Sequence, residues 1–586
     1  MLKIATVSDF NLGNFAALLR NDGAEPAVAV VETPFGQPFQ ILADPSHPTW
    51  AEAVDCLIVW TQPQRVISSF AQALEHEQVD RAKLFAEVDQ FAALVRSCQD
   101  RARMILVPTW TLPPWERGSS LLECRRGVGL ADLLARMNQR LAEQLEGSPP
   151  GSTAQGASQS NVFVLDAQRW LVTAGIRSFS TKAWYLGKIP FSNEIFKQAV
   201  KETKAALRAI SGATRKLVVV DLDDTLWGGI VGDIGLENLT LGGHDGDGEA
   251  LVDFQRALKA LTRRGIILGV VSKNDETTAL TALREHPEMI LRPDDFAGWR
   301  INWGDKAQNV VDLAAELNLG LQSVVFIDDN PVERARVREM LPEVLVPEWP
   351  ADKTLYRRAL LELNCFDVAA LTQEDRNRAA MYVSDRERKH ARRTVGSLDD
   401  WLASLNVTIE IEFLNEANLT RAAQLLNKTN QMNLTTRRMT EQELLAWSSE
   451  PDHRVWTIKV RDKFGDLGLT GLLSVETKAA SLSADGAAPS GAARIADFVL
   501  SCRVMGRKIE ETMVAFAVRH ARDEGARVLT ATYLPTPKNK PCLEFLRRSG
   551  MRESSEGSIF EWNTAEDYPV PHQVTIGSLD HALPGH

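Results

Sequence analysis

The sequence lacks any run of eighteen apolar residues, so nothing in it reads as a membrane-spanning helix. Its first stretch, MLKIATVSDFNLGNF, carries one lysine and only a short apolar segment, which speaks against a secretory signal. Paired cysteines are missing too. Cys56, Cys98, Cys124, Cys365, Cys502 and Cys542 are scattered with no CxxC spacing, which suits neither a disulfide framework nor a zinc site. They read as free thiols of a reducing cytoplasm. Nor is there a surplus of positive charge: the net charge is −11, so neither nucleic acid nor an anionic membrane is an expected partner. No internal repeat is visible. These absences together predict a soluble, cytoplasmic protein.

What is present is enough chain for several cores. The 586 residues, 44% of them hydrophobic, should divide into three or four domains at about 150 residues each. Strand-like runs at Lys3–Ser8, Ala27–Glu32, Cys56–Thr61, Met104–Pro108 and Val162–Leu165 alternate with helical patterns, predicting a doubly wound α/β domain over 1–205. Gly147–Ser160, GSPPGSTAQGASQS, reads as a loop inserted in it. A second α/β series over 213–370 has strands at Leu217–Val220, Ile266–Val271 and Val324–Ile327 and a helix at Lys306–Leu317; its strands are apolar throughout, as when both faces are covered. Over 380–565 alternating strands (Val407–Phe413, Val455–Val460, Arg494–Cys502, Arg527–Tyr533) surround two helical patterns, which predicts an α+β domain. Lys478–Ala493 reads as a hairpin loop and 566–586 as an irregular tail.

The stretch VVVDLDDTLWGG, Val218–Gly229, puts three aspartates at the end of a buried strand. Such a cluster repels itself unless a cation or a shared proton compensates. In D-x-D-x-T the side chains of Asp221 and Asp223 lie on one side of the extended chain. Taken alone, the motif is as readily a turn-capping cluster as a metal site. Three further elements sit at the mouth of the same expected sheet: Ser272 ends GIILGVVS, Lys306 of WGDK opens a helical pattern, and SVVFIDDNP ends a strand at Asp328 and Asp329. Ligands of open α/β folds bind there.

In that order, DLDDT, VVS, the lysine of WGDK and IDD resemble the four motifs of the haloacid dehalogenase (HAD) phosphatase superfamily. The resemblance implies Asp221 as nucleophile, Asp223 as general acid/base, and Ser272 and Lys306 as holders of the phosphoryl oxygens. It implies a Mg²⁺ site made by Asp221, the main-chain carbonyl of Asp223, and Asp328 with Asp329. Thr225 and Asn274, next to these motifs, are placed on the substrate side; Asp224 is assigned no chemistry. The short span from Thr225 to Ser272 leaves little room for a large cap.

In the third region RIADFVLSC leads into RVMGRK and the amphipathic IEETMVAFAVRHA. Alternation puts Phe498, Leu500 and Cys502 on one face, with Cys502 just ahead of a helix N-terminus and beside Arg503 and Arg507. That setting lowers a thiol's pKa. A small buried hydrophobe is the commoner fate of a free cysteine. The RxxGR turn resembles the pyrophosphate-binding loop of GNAT acetyltransferases, with Lys508 where glycine or alanine is usual, and FLRRSGM at Phe545 resembles that fold's C-terminal motif. A pantetheine-binding groove is the implied feature.

NKTNQMNLTTRR (Asn427–Arg438), FGDLGLTG (Phe464–Gly471), SCRVMGR (Ser501–Arg507) and DLDDTLWGGIVGD together resemble the FkbH-like glyceryl transferase/phosphatases of polyketide pathways, from about Phe191 onward. The resemblance implies that 1,3-bisphosphoglycerate loses phosphate and its glyceryl unit passes through an enzyme thioester to the phosphopantetheine arm of an acyl carrier protein. Cys502 is the implied acyl carrier, with Cys365 and Cys542 as rivals. Asn427, Asn430, Asn433, Thr435, Thr436 and Arg437, with Arg503 and Arg507, are candidates to bind the polyol and its phosphate; the polar loop residues equally suit a loop that satisfies its own backbone. Asp466 reads first as a turn former.

The N-terminal region resembles the SGNH-hydrolase-like domain of long members. Phe10 stands where that family's nucleophilic serine belongs. A triad needs nucleophile and base within hydrogen-bond reach, so a scaffold or docking surface is expected, with Ser8 as a minor alternative nucleophile. The basic run Asp385–Arg393 reads as a solvated face, or else a dock for an acidic carrier protein. Two rival readings of the whole are a HAD phosphatase fused to a CoA-dependent N-acetyltransferase and a non-catalytic carrier-binding scaffold.

Overall fold

The computed structural model describes residues 1–146, 161–243, 245–368, 377–384, 386, 398–478, 491–555 and 557–579. The expected insertion at 147–160, nearly all of the basic run at 385–393 and most of the expected hairpin loop at 478–493 lie outside the described residues. The chain forms two compact units, Met1–Ser211 with Asp367–Ala369, and Gly212–Phe366 with Ala370–His586.

In the first unit β1 (Leu2–Ser8), β2 (Val28–Glu32), β3 (Val54–Trp60), β4 (Ala102–Pro108) and β5 (Val162–Leu165) form a parallel sheet in the order β2-β1-β3-β4-β5. Alternate residues feed two cores. Ala5, Leu57 and Val59 pack with the helices Arg81–Arg96 and Leu130–Glu146, while Ile4, Cys56 and Ile58 pack with Gly13–Asn21 and Asn193–Ser211. Burial on both faces is why these strands read as continuous apolar runs. Phe10 is 0% exposed, its ring 5.7 Å from Trp60 and 5.5 Å from Phe191. Position 10 is thus a core position, and the buried Ser8 accepts the Phe10 N–H at 3.1 Å as a turn former.

The second unit holds two sheets. The first is parallel, with β6 (Leu217–Val220), β7 (Ile267–Ser272), β8 (Gly298–Ile301) and β9 (Val324–Ile327) in the order β8-β7-β6-β9. Val218, Val220 and Leu268 pack on the helix Gly246–Thr262; Leu217, Val219 and Ile267 pack on Lys306–Glu316. The carboxyl ends of β6, β7 and β9 therefore come together.

The other sheet runs β16-β17-β15-β14-β13-β12-β10-β18, built from β10 (Val407–Phe413), β11 (Met432–Asn433), β12 (His453–Asp462), β13 (Gly465–Lys478), β14 (Gly491–Leu500), β15 (Ala526–Thr532), β16 (Arg552–Glu553), β17 (Ile559–Asn563) and β18 (Val574–Leu579). Most pairs are antiparallel; β14/β15 and β10/β18 are parallel. The pattern predicts two helices here, whereas the described residues include Leu398–Ser404, Glu416–Lys428, Glu441–Ser448, Ile509–Asp523 and Lys540–Arg548.

Two expectations are corrected. The segment 566–586 is not irregular throughout, because β18 pairs with β10 and buries Val574 in the core. And β14 ends at Leu500, so Cys502 opens a 3-10 turn, Cys502–Val504, instead of closing the strand. Beyond Ile495, where β14 and β15 part, the edge of β14 is taken by β11 at Val499 and Leu500. Among the described residues no helix is long and apolar enough to cross a membrane.

Candidate active site

At the end of β6 the Asp221 N–H donates to Ile327 O of β9 at 3.0 Å, which ties the first aspartate to the strand that ends in Asp328. Oxygens of Asp221, Asp328 and Asp329 lie within 4.8 Å of one another. Lys306, the first residue of its helix, reaches Asp221 Oδ2 at 3.0 Å and Asp328 Oδ2 at 2.6 Å. Burial would lower the lysine's pKa, but the charges of Asp221 and Asp328 outweigh it and hold the pKa above its ordinary value. Burial, with the charge of Asp221, pushes Asp328 up to about 6 and raises Asp329 as well.

Three carboxylates against one ammonium leave two negative charges in a buried space. Asp221 Oδ1, moreover, is buried without a hydrogen-bond partner. All-oxygen donors, a surplus matching a divalent ion and an orphaned oxygen fit a hard cation. Asp223 is absent from this carboxylate set. Its Oδ1 accepts from Trp227 Nε1 at 2.8 Å and Val231 N at 3.1 Å, and its Oδ2 from Asn274 Nδ2 at 2.7 Å. Burial, then the neighbouring Asp221, raises its pKa, as suits a group that exchanges protons.

Two residues expected on the substrate side do something else. Asn274 is buried and holds Asp223. Thr225 is 0% exposed; its Oγ1 donates to Asp329 Oδ1 at 3.2 Å and accepts the Asp329 N–H at 3.1 Å. Both position carboxylates. Ser272, buried, ends β7 at the same mouth. Asp224 turns away in the left-handed region, φ 54°, to meet Lys353 Nζ at 2.6 Å. Sequence reasoning missed Arg334, whose Nη1 donates to the main-chain oxygens of Asp328 and Asp329 at 2.7 and 2.6 Å. Its place, one turn into the helix after IDDN, was the available signal.

Around Cys502 the picture is mixed. The thiol residue is half-buried, whereas Cys365 and Cys542 are buried and burial pushes the Cys542 thiol up to about 12. Arg503 Nε donates to Ser501 Oγ at 3.2 Å and its Nη1 lies 2.6 Å from Met381 Sδ. Arg507 is buried against Asp462, 3.1 Å away, and donates to Arg503 O at 2.7 Å. Lys508 has φ 66°, the left-handed conformation that glycine adopts without strain.

Most polar groups of the Asn427–Arg437 loop serve the loop. Asn427 exchanges hydrogen bonds with the Met439 main chain, Nδ2 to O at 2.6 Å and N to Oδ1 at 3.1 Å. Asn433 is 0% exposed, donates to Thr429 O at 3.1 Å and accepts the Thr436 N–H at 2.8 Å. Asn430 Oδ1 accepts from Arg438. Arg437 forms a two-pronged pair with the buried Asp497 and lies 4.6 Å from the Trp447 ring centre. Of the expected ligand-binding residues, Asn433 is thus buried within the loop, and Asn430 and Arg437 are half-buried with partners of their own. Thr435 Oγ1 is buried without a partner. Asp466 accepts the Gly468 N–H at 2.7 Å and is a turn former.

No family model matches the chain, and no curated protein matches it. Among solved structures, the N-terminal part of the protein BF1531 from Bacteroides fragilis, containing a phosphatase domain complexed with Mg, matches with 26% identity, 63% of this chain, 94% of that chain and a TM-score of 0.55. An acetyltransferase from Trypanosoma brucei matches with 16% identity over 25% of this chain and 94% of its own, TM-score 0.19. Glucosamine-6-phosphate N-acetyltransferase from Arabidopsis thaliana matches with 20% identity over 25% and 93%, TM-score 0.19. The likeness to the phosphatase-domain structure accords with a HAD-like phosphatase region, in which the Asp221, Ser272, Lys306 and Asp328 elements meet at one sheet mouth.

Proposed function

We propose that the protein is an FkbH-like enzyme that removes phosphate at the Asp221 site and transfers a glyceryl unit from 1,3-bisphosphoglycerate through Cys502 to the phosphopantetheine arm of an acyl carrier protein. The phosphatase half rests on one observation above others: the orphaned Asp221 oxygen in a triad of carboxylates, two of them buried, that a single lysine leaves two charges short of neutral.

Asp221 is placed to attack phosphorus and become an aspartyl-phosphate. Asp223, held at both oxygens and with a raised pKa, gives a proton to the leaving alkoxide and later takes one from the water that cleaves the aspartyl-phosphate. Lys306 and Ser272 hold the phosphoryl oxygens. Mg²⁺, bound by Asp221, Asp328 and Asp329, would neutralise phosphoryl charge, which is most of what phosphoryl transfer requires. For the acyl half, a mixed anhydride is already activated, so a thiolate displaces phosphate without ATP. Cys502 is favoured over Cys365 and Cys542 because it alone of the three is not buried.

The test is intact-mass measurement of the enzyme and an added carrier protein after incubation with 1,3-bisphosphoglycerate. A glyceryl-sized gain on the enzyme, then on the carrier, is expected; no gain on either protein defeats the proposal.

A further inference from the structure

The loop between β14 and the helix Ile509–Asp523 is the one that resembles a pyrophosphate-binding turn. Such a turn works by aiming main-chain N–H groups at the end of a helix toward an anion. In this chain one of those N–H groups is already engaged from within. Gly506 N donates to Glu510 Oε1 at 2.6 Å, and Glu510 is 1% exposed. Its other oxygen, Oε2, is buried without a hydrogen-bond partner. Glu510 is the second residue of the helix, so its carboxyl group folds back over the helix's own first turn, and burial raises its pKa. Arg507 pairs with Asp462 and Lys508 with Glu511 at 3.0 Å, while the charge of Arg548 acts on Glu510 from a distance.

We infer that Glu510 is a specificity-determining residue: its side chain occupies the anion cradle of this domain and shuts out the diphosphate of coenzyme A. One N–H cannot serve the buried carboxyl group and a phosphate oxygen together. A pantetheine arm borne on a carrier protein has no free diphosphate and makes no demand on the cradle. The inference uses the pyrophosphate-loop resemblance and sharpens the acceptor class of the proposed function. It disfavours a CoA-dependent acetyltransferase.

The experiment titrates the full chain with coenzyme A and reads amide hydrogen exchange over residues 503–508, so that binding at the Asp221 site is not counted. The native protein should show no protection there. Glu510→Ala, which opens the cradle, should bind coenzyme A at least about tenfold more tightly, the worth of one regained hydrogen bond to a charged acceptor. Glu510→Gln keeps the cradle filled and should gain little. Pantetheine, without the diphosphate, should not distinguish the three proteins. Thermal melting checks folding, and Glu510→Ser replaces the alanine variant if that one fails to fold. Protection by coenzyme A in the native protein, or no gain in either small-residue variant, overturns the inference. Binding is read without turnover, so that outcome leaves the Cys502 thioester, read by mass, untouched.

Discussion

Asn274 Nδ2 donates to Asp223 Oδ2 at 2.7 Å, so a residue from the loop after β7 fixes the carboxyl group two positions past the nucleophile. With Trp227 and Val231 on the other oxygen, Asp223 has one orientation. Asn274→Ala should therefore lower kcat for phosphate release about 10–100-fold, the usual effect of removing a positioning partner, while KM changes little. Asn274→Gln should recover part of the loss. Steady-state kinetics on a small phosphate ester checks this; a change confined to KM would place Asn274 on the substrate instead.

Lys306 is the cation between Asp221 and Asp328, and all three are buried. Lys306→Met should leave the carboxylates uncompensated and cost about 3–5 kcal/mol of stability. Denaturant titration with and without MgCl2 measures it. The added ion should recover more stability in the variant than in the native protein, and Asp329→Asn should blunt that recovery.

Cys502→Ala should abolish loading of the carrier protein while sparing phosphate release, and Asp221→Asn should stop phosphate release first. Alkylation of the folded protein offers an independent check. Cys502 and the exposed Cys124 should label, while the buried Cys56, Cys98, Cys365 and Cys542 stay protected until unfolding.

Arg437 pairs with Asp497, whose side chain is fully buried and also accepts from Ser474. If the loop serves the fold, Arg437→Ala should destabilise the protein by about 3–5 kcal/mol through the charge left on Asp497. Asp497→Asn in that background should restore part of it. Thermal melting of the pair distinguishes this from a ligand-binding role, which would alter KM and leave the melting temperature in place.

The strands were legible because each is a short apolar run bounded by polar residues. Val162–Leu165, Leu217–Val220, Val324–Ile327 and Val407–Phe413 have the expected ends. The meeting of Asp221, Lys306 and Asp328 was legible because parallel strands bring their carboxyl ends together. What pattern alone did not reveal was the choice of partners. Thr225 and Asn274 stand beside the motifs, yet they bond carboxylates; Asn433 and Arg437 look like ligand-binding residues, yet they close a loop and neutralise Asp497. A polar side chain's partner depends on distant chain, such as Asp329 for Thr225, 104 residues away. β18 escaped notice because over Val574–Gly577 only Val574 is buried, and a single buried position makes no periodicity.

β18 also sets an order of events during synthesis. Val407 pairs with Val574, so the outer edge of β10 stays uncovered until a much later stretch has left the ribosome. Until then β10 displays unpaired N–H and C=O groups, the kind of edge on which chains stick to one another. A chain shortened before Val574 would keep that adhesive edge for good, so the last strand guards the fold against self-association as well as adding to its core.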